Sequence, residues 1–99
     1  TSVASIANNL GTVLQDQCDL EGAKECFQRA LAIDEKAFGP EHTKVAIRVN
    51  NLGLVLKDQG DLEGARRCAG RALAIFESRL GKDHPNSILA RSNLRMLQK

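Results

Sequence analysis

Displaced by 42 positions, the sequence lies on itself: residues 1–42 face residues 43–84 with 25 identities in 42 pairs. The agreement concentrates in three runs. Asn8-Asn9-Leu10-Gly11 falls on Asn50-Asn51-Leu52-Gly53, Asp19-Leu20-Glu21-Gly22-Ala23 on Asp61-Leu62-Glu63-Gly64-Ala65, and Arg29-Ala30-Leu31-Ala32-Ile33 on Arg71-Ala72-Leu73-Ala74-Ile75. Residues 85–99 continue the register faintly, with Asn93-Leu94 where Asn51-Leu52 would predict them. A period of this length signals a stacked array, in which one supersecondary unit recurs and neighbours bury each other's apolar faces. The chain is expected to form one domain of two units, 1–42 and 43–84, followed by a partial unit or capping helix, 85–99.

Within each unit the apolar spacing is helical. Val3, Ile6, Ala7, Leu10 and Leu14 recur at steps of three and four, as do Val45, Val49, Leu52 and Leu56. A second stripe follows in Leu20, Ala23, Cys26, Phe27, Ala30 and Leu31, introduced by Asp19, whose carboxylate suits the free N–H groups of a helix start. Asp61 takes the same place in the second unit. Gly39-Pro40 stops the helix, because glycine accepts a left-handed terminal conformation and proline breaks the bond ladder; Gly81 and Pro85 bracket the next stop. The pattern predicts helices near 2–17, 20–38, 44–59, 62–80 and 86–98, and no strands.

Small residues stand where helices of such a stack would cross: Gly11, Gly53, Ala23, Ala65, Ala30 and Ala72. The order Leu10-Gly11, Leu14, Ala23, Phe27, Ala30, repeated as Leu52-Gly53, Leu56, Ala65, Ala72, resembles the tetratricopeptide signature. The 42-residue period and the segments Asn-Asn-Leu-Gly, Arg-Ala-Leu-Ala-Ile and Gly-Pro-Glu-His further resemble the repeats of kinesin light chains and related prokaryotic arrays. The resemblance implies an all-α fold, a right-handed superhelix of two helix pairs plus a terminal single helix. It also implies a scaffold that binds an extended peptide or partner protein in the concave groove lined by first helices.

On that resemblance the groove presents Ser5, Asn8, Asn9, Thr12, Gln15 and Asp16 from the first unit, and Ile47, Asn50, Asn51, Leu54, Lys57 and Asp58 from the second. The asparagines are mediocre helix formers in mid-helix and so need another reason to be there. An asparagine both donates and accepts, which suits it to a peptide backbone, while Ile47 and Leu54 suit apolar side chains. The alternative is that one asparagine of each pair braces neighbouring helices, with Asn8 and Asn50 facing the groove. Gln15 and Lys57 are placed to reach a carboxylate, though no multi-lysine clamp is present.

The second unit departs from the first at Ala69-Gly70, where Phe27-Gln28 would be expected. Losing a buried ring removes several kcal/mol of packing unless the space is refilled. Two readings are open: Phe76, at the place of Asp34, restores the bulk, or the gap accepts a side chain from another molecule. Cys18 replaces Gly60 in the turn and is expected to be exposed, whereas Cys26 and Cys68 read as small apolar fillers.

Charge is uneven: −4 over residues 1–42 (three basic, seven acidic), +3 over 43–84 (eight basic, five acidic) and +3 over 85–99 (three basic). Arg66, Arg67, Arg71 and Arg79 have no interleaved aromatics, so a solvated face is expected there and no nucleic-acid binding. His42 and His84 occupy equivalent connections and read as caps or as solvent-exposed side chains. No metal-ligand spacing, nucleophile elbow or phosphate loop is visible, so neither catalysis nor a cofactor is expected. No apolar run nears the roughly 20 residues of a membrane span. An odd number of dispersed cysteines fits a reducing compartment, and the cytoplasm is expected. A rival function is self-association as a dimer or head-to-tail assembly. Two units fall short of the roughly three that give comfortable stability, and the Ile88, Leu89, Leu94, Met96 and Leu97 side of the last helix lacks a following helix to cover it. The Gly39 to Thr43 connection then offers a hinge for exchange.

Overall fold

The computed structural model describes residues 2–98, so Thr1 and Lys99, the ends of the unit assignment, lie outside the described residues. Five helices follow one another: α1 Ser2–Asp16, α2 Leu20–Phe38, α3 Thr43–Asp58, α4 Leu62–Leu80 and α5 Pro85–Leu97. Each helix packs chiefly on the next in sequence, α1 on α2, α2 on α3, α3 on α4 and α4 on α5. The expected spans differ by a residue at the ends, where caps decide the boundary. Asp19 and Asp61 accept the N–H groups of Gly22 and Gly64, at 3.1 and 2.9 Å. His42 and His84 cap α3 and α5: each Nδ1 accepts a backbone N–H two residues on, from Lys44 and Asn86, at 3.0 Å. No helix among the described residues is long and apolar enough to cross a membrane.

The turn between the helices of a pair closes in the same way twice. The N–H of Asp19 donates to Leu14 O at 2.8 Å, and that of Asp61 to Leu56 O at 2.9 Å. Such a closure needs a left-handed residue at its corner. Gly60 supplies it at φ 85°, but the first unit uses Cys18 at φ 65°. A Cβ in that conformation costs roughly 1–2 kcal/mol. Cys18→Gly is therefore expected to stabilise the chain by about 1 kcal/mol, after allowing for the greater freedom of glycine in the unfolded chain. That corresponds to a melting midpoint about 5 °C higher by circular dichroism.

The small residues sit at the crossings as expected. Ala23, Ala30, Ala65 and Ala72 are fully buried. A Cβ added to Gly11 would come within 2.8 Å of the Phe27 ring, and one added to Gly53 within 2.9 Å of Cys68 Cβ. Burial pushes the Cys68 thiol up, with Arg67 and Arg71 pulling in the other direction, which suits an inert filler.

Ala69 is where the structure departs from one expectation. Phe76 does not refill the space of the missing ring: it packs with Val45, Ala46, Val49, Ala72, Ile75 and Ala90. Seven residues along a helix is roughly 10 Å, too far for one side chain to serve the other position. Leu97 of α5 instead joins Ala65 and Ala69 in the cluster built around Phe27. Of the last helix's apolar side, Leu97 is buried and Leu94 partly buried, while Ile88, Leu89 and Met96 are more than half exposed.

The two junctions between successive units solve one packing problem in two ways. At the first, Asp34 is wholly buried and its Oδ2 meets Arg48 Nε at 2.8 Å. Shifted by 42 positions these residues become Phe76 and Ala90, which meet in an apolar cluster. Beside them, Arg71 reaches Glu35 and Arg91 reaches Glu77, each at 2.9 Å.

Candidate functional site

The first helices α1, α3 and α5 lie side by side, linked by asparagines. Asn51 Nδ2 donates to Asn8 Oδ1 at 2.8 Å, and Asn93 Nδ2 to Asn50 Oδ1 at 3.3 Å. In α3 both asparagines of the pair therefore brace neighbours, Asn51 backward and Asn50 forward, where only one was expected to. The bracing does not exhaust them. Each bond uses one oxygen and one N–H, so a second N–H and a further lone pair on each amide are left for a ligand. Asn50, Asn51 and Asn93 are all half-buried, which makes those groups worth more to a partner than on an open surface.

The remaining expected residues divide by helix. On α1, Ser5, Asn9 and Thr12 are exposed, and Thr12 Oγ1 turns back to donate to Asn8 O at 3.1 Å. Gln15 Nε2 reaches across to Asp58 Oδ2 at 3.4 Å. None of these α1 side chains, nor Asp16, lines either of the cavities between α3 and α5. On α3, Ile47 is exposed, Leu54 half-buried and Lys57 exposed, and all three border cavities.

Two cavities open between α3 and α5 over the floor formed by α4. One, of about 300 Å³, is lined by Ile47, Asn50, Asn51, Phe76, Asn86 and Leu89, with Ala90. The other, of about 20 Å³, lies over Ala65 and Ala69 between Gly53, Leu54, Leu97 and Met96, with Lys57 at its margin. The smaller one holds one methyl-sized group or one water as it stands. It marks the volume left by the missing ring once Leu97 has moved in. Asn50 borders both. A third cavity, of about 460 Å³, lies at the turn between the units, where Arg79 Nε donates to Glu41 O, and contains none of the expected groove residues.

Sequence reading missed the α5 contribution, namely Asn86, Leu89, Asn93 and Met96, together with the α4 floor. The signal was present in Asn93, which stands in register with Asn51. Three basic residues of α4 reach the chain's own acceptors, Arg66 to Leu97 O, Arg71 to Glu35 and Pro40 O, Arg79 to Glu41 O, while Arg67 lies 3.9 Å from Glu63 on the exposed surface. Among the described residues no three His, Cys, Asp or Glu side chains gather in a way that could hold a metal.

Comparison with known proteins agrees with this architecture. A family model described as tetratricopeptide repeat matches residues 2–78 and, in a second alignment, 46–94. The crystal structure of BtubC (BKLC) from P. vanneervenii is similar to this chain, with a TM-score of 0.87 and 26% identity over 95% of the chain. The match takes in 37% of the BtubC chain. No curated protein sequence matches.

Proposed function

Because the chain belongs to the tetratricopeptide repeat family, whose repeats mediate protein–protein interaction, we propose that it is a non-catalytic recognition module that holds an extended peptide in the groove along α1, α3 and α5. The observation that carries this reading is the position of Asn50. It borders both apolar-walled cavities between α3 and α5 and has hydrogen-bonding capacity to spare. A peptide backbone laid along the asparagine row meets donors and acceptors, while alternate side chains drop toward Ile47 and Phe76 on one side and Leu54 and Met96 on the other. Lys57, beside the smaller cavity, favours a carboxylate at that end of the ligand.

The site residues in this reading are Asn8, Asn50, Asn51, Ile47, Leu54 and Lys57, joined by Asn93 and Leu89. Ser5, Asn9, Thr12 and Gln15 form the open α1 end of the groove. The units 1–42, 43–84 and 85–99 act as one domain, placed in the cytoplasm, with a polypeptide partner and neither nucleic acid nor membrane. The test is a screen of fluorescent extended peptides, each with one aliphatic side chain beside an acidic residue, followed by amide chemical shifts of the protein. Binding is expected to move the side-chain amide signals of Asn50, Asn51 and Asn93. Leu54→Asp is expected to weaken it at least tenfold, about 1.4 kcal/mol, with helicity unchanged. Shifts confined to α2 and the outer face of α4 would dismiss the groove.

A further inference from the structure

The outer side of α1 is apolar and bare. Val3, Ile6, Leu10 and Val13 are 61, 67, 50 and 50% exposed, and no charged side chain appears in α1 before Asp16. Shifted by 42 positions these residues become Val45, Arg48, Leu52 and Val55, the face by which α3 seats on α2. There Val45 and Val55 are fully buried and Leu52 is 8% exposed. Shifted by 84 they become Ser87, Ala90, Leu94 and Leu97, the face by which α5 seats on α4. The bare stripe of α1 is thus a bulkier version of the face that α5 presents to α4.

We infer that α1 and α5 are alternative occupants of one seat on α4, and that a second copy of this chain docks its α1 there, displacing α5 and joining copies head to tail. The occupant is fixed by residue-for-residue complementarity with the junction already present inside the chain. Internally Asn51 bonds Asn8, and the new junction opposes Asn9 of the second copy to Asn50. Internally Gln59 bonds Glu21 at 3.1 Å, and the new junction opposes Gln17 to Glu63. Internally Arg71 pairs with Glu35, and the new junction opposes Arg29 to Glu77.

Two further positions are changed, the first on one side and the second on both. Where Gln15 meets Asp58 internally, the new junction opposes Lys57 to Asp16, a pair of opposite charges. Where buried Asp34 meets Arg48 internally, it opposes Phe76 to Ile6, both apolar. Ile6 is badly matched to a seat holding Asp34 and well matched to one holding Phe76, so the junction selects its own register. The acidic first unit and basic second unit favour the same polarity. Asn9, Asp16, Gln17 and Arg29, which this junction calls on, are all exposed in the single chain. Losing the seat of α5 and the freedom of a separate copy both oppose joining, so assembly is concentration-dependent.

The experiment is the solution mass of the full chain by light scattering behind a sizing column, across a wide range of concentration. The expected result is a mass that rises with concentration from 10.8 kDa and passes beyond twice that value without a plateau, as an open head-to-tail contact requires. Ile6→Glu, at an exposed position, is expected to hold the mass at that of one chain with unchanged helicity. Lys57→Asp is expected to weaken association roughly fivefold at low salt, and adding Asp16→Lys to the same chain to restore it. A mass fixed at one chain, a plateau at twice that mass, or indifference to Lys57→Asp each overturns the inference. The plateau would mean a two-fold pairing, and the indifference a different register.

Discussion

Arg48→Ala is expected to lower stability by about 3–5 kcal/mol, because it takes the guanidinium away from a wholly buried carboxylate. In a domain of this size total stability is roughly 5–15 kcal/mol, so the variant sits near the edge of folding. The double change Asp34→Phe with Arg48→Ala recreates at the first junction what the chain already has at the second, Phe76 against Ala90. It should recover most of the loss or exceed the starting stability, since a buried ion pair is often no better than apolar packing of similar volume. Urea titration followed by circular dichroism reads both, as the chain has no tryptophan or tyrosine to report by fluorescence. A single-variant loss under about 1 kcal/mol, the range of an exposed pair, would show that Arg48 does not compensate a buried charge.

The second large effect belongs to Phe27. Its ring is 1% exposed and lies so close under Gly11 that no Cβ fits between them. Phe27→Ala is expected to cost about 3–5 kcal/mol, because α1 and α2 already meet through small residues and cannot close further over the void. The second unit tolerates alanine at the matching Ala69 because Leu97 stands where Val55 stands one unit earlier, one carbon longer, and packs into the same cluster. Leu97→Ala should therefore cost about 2–5 kcal/mol, a core-sized penalty despite its place at the end of α5. Equal losses for Phe27→Ala and Ala69→Gly in the same titration would refute this account of how the space is shared.

The helices were legible because several independent signals agreed at each boundary: period, cap and stop. The Leu10-Gly11 crossing, the Asp19 cap and the Gly39 stop each have one simple physical reading, and each has a copy 42 residues on. The groove was less legible. A first helix has two flanks, and the repeat says which residues are equivalent without saying which flank meets a neighbour. Asn8 and Asn50 were expected to face the groove; both also accept bonds from the next first helix, a relation that crosses unit boundaries and leaves no trace in a single helix's periodicity. Of the two readings of the missing ring, its replacement by Phe76 failed for a similar reason. Phe76 was the conspicuous new bulk in α4, but Leu97 arrives from another helix, and its extra carbon shows only when compared with Val55 in three dimensions.

Three of the links among the first helices, Asn8 with Asn51, Gln15 with Asp58 and Asn50 with Asn93, join residues 43 apart, while the sequence repeats every 42. No unit holds both halves of any of these links; each donor and its acceptor straddle a boundary. At the level of the gene, a duplication or deletion of one whole unit hands every boundary matching halves of these links among the first helices. A slip of a single codon within a unit changes the spacing of every link that spans it. Such a chain is free to change its number of units and is held to their length.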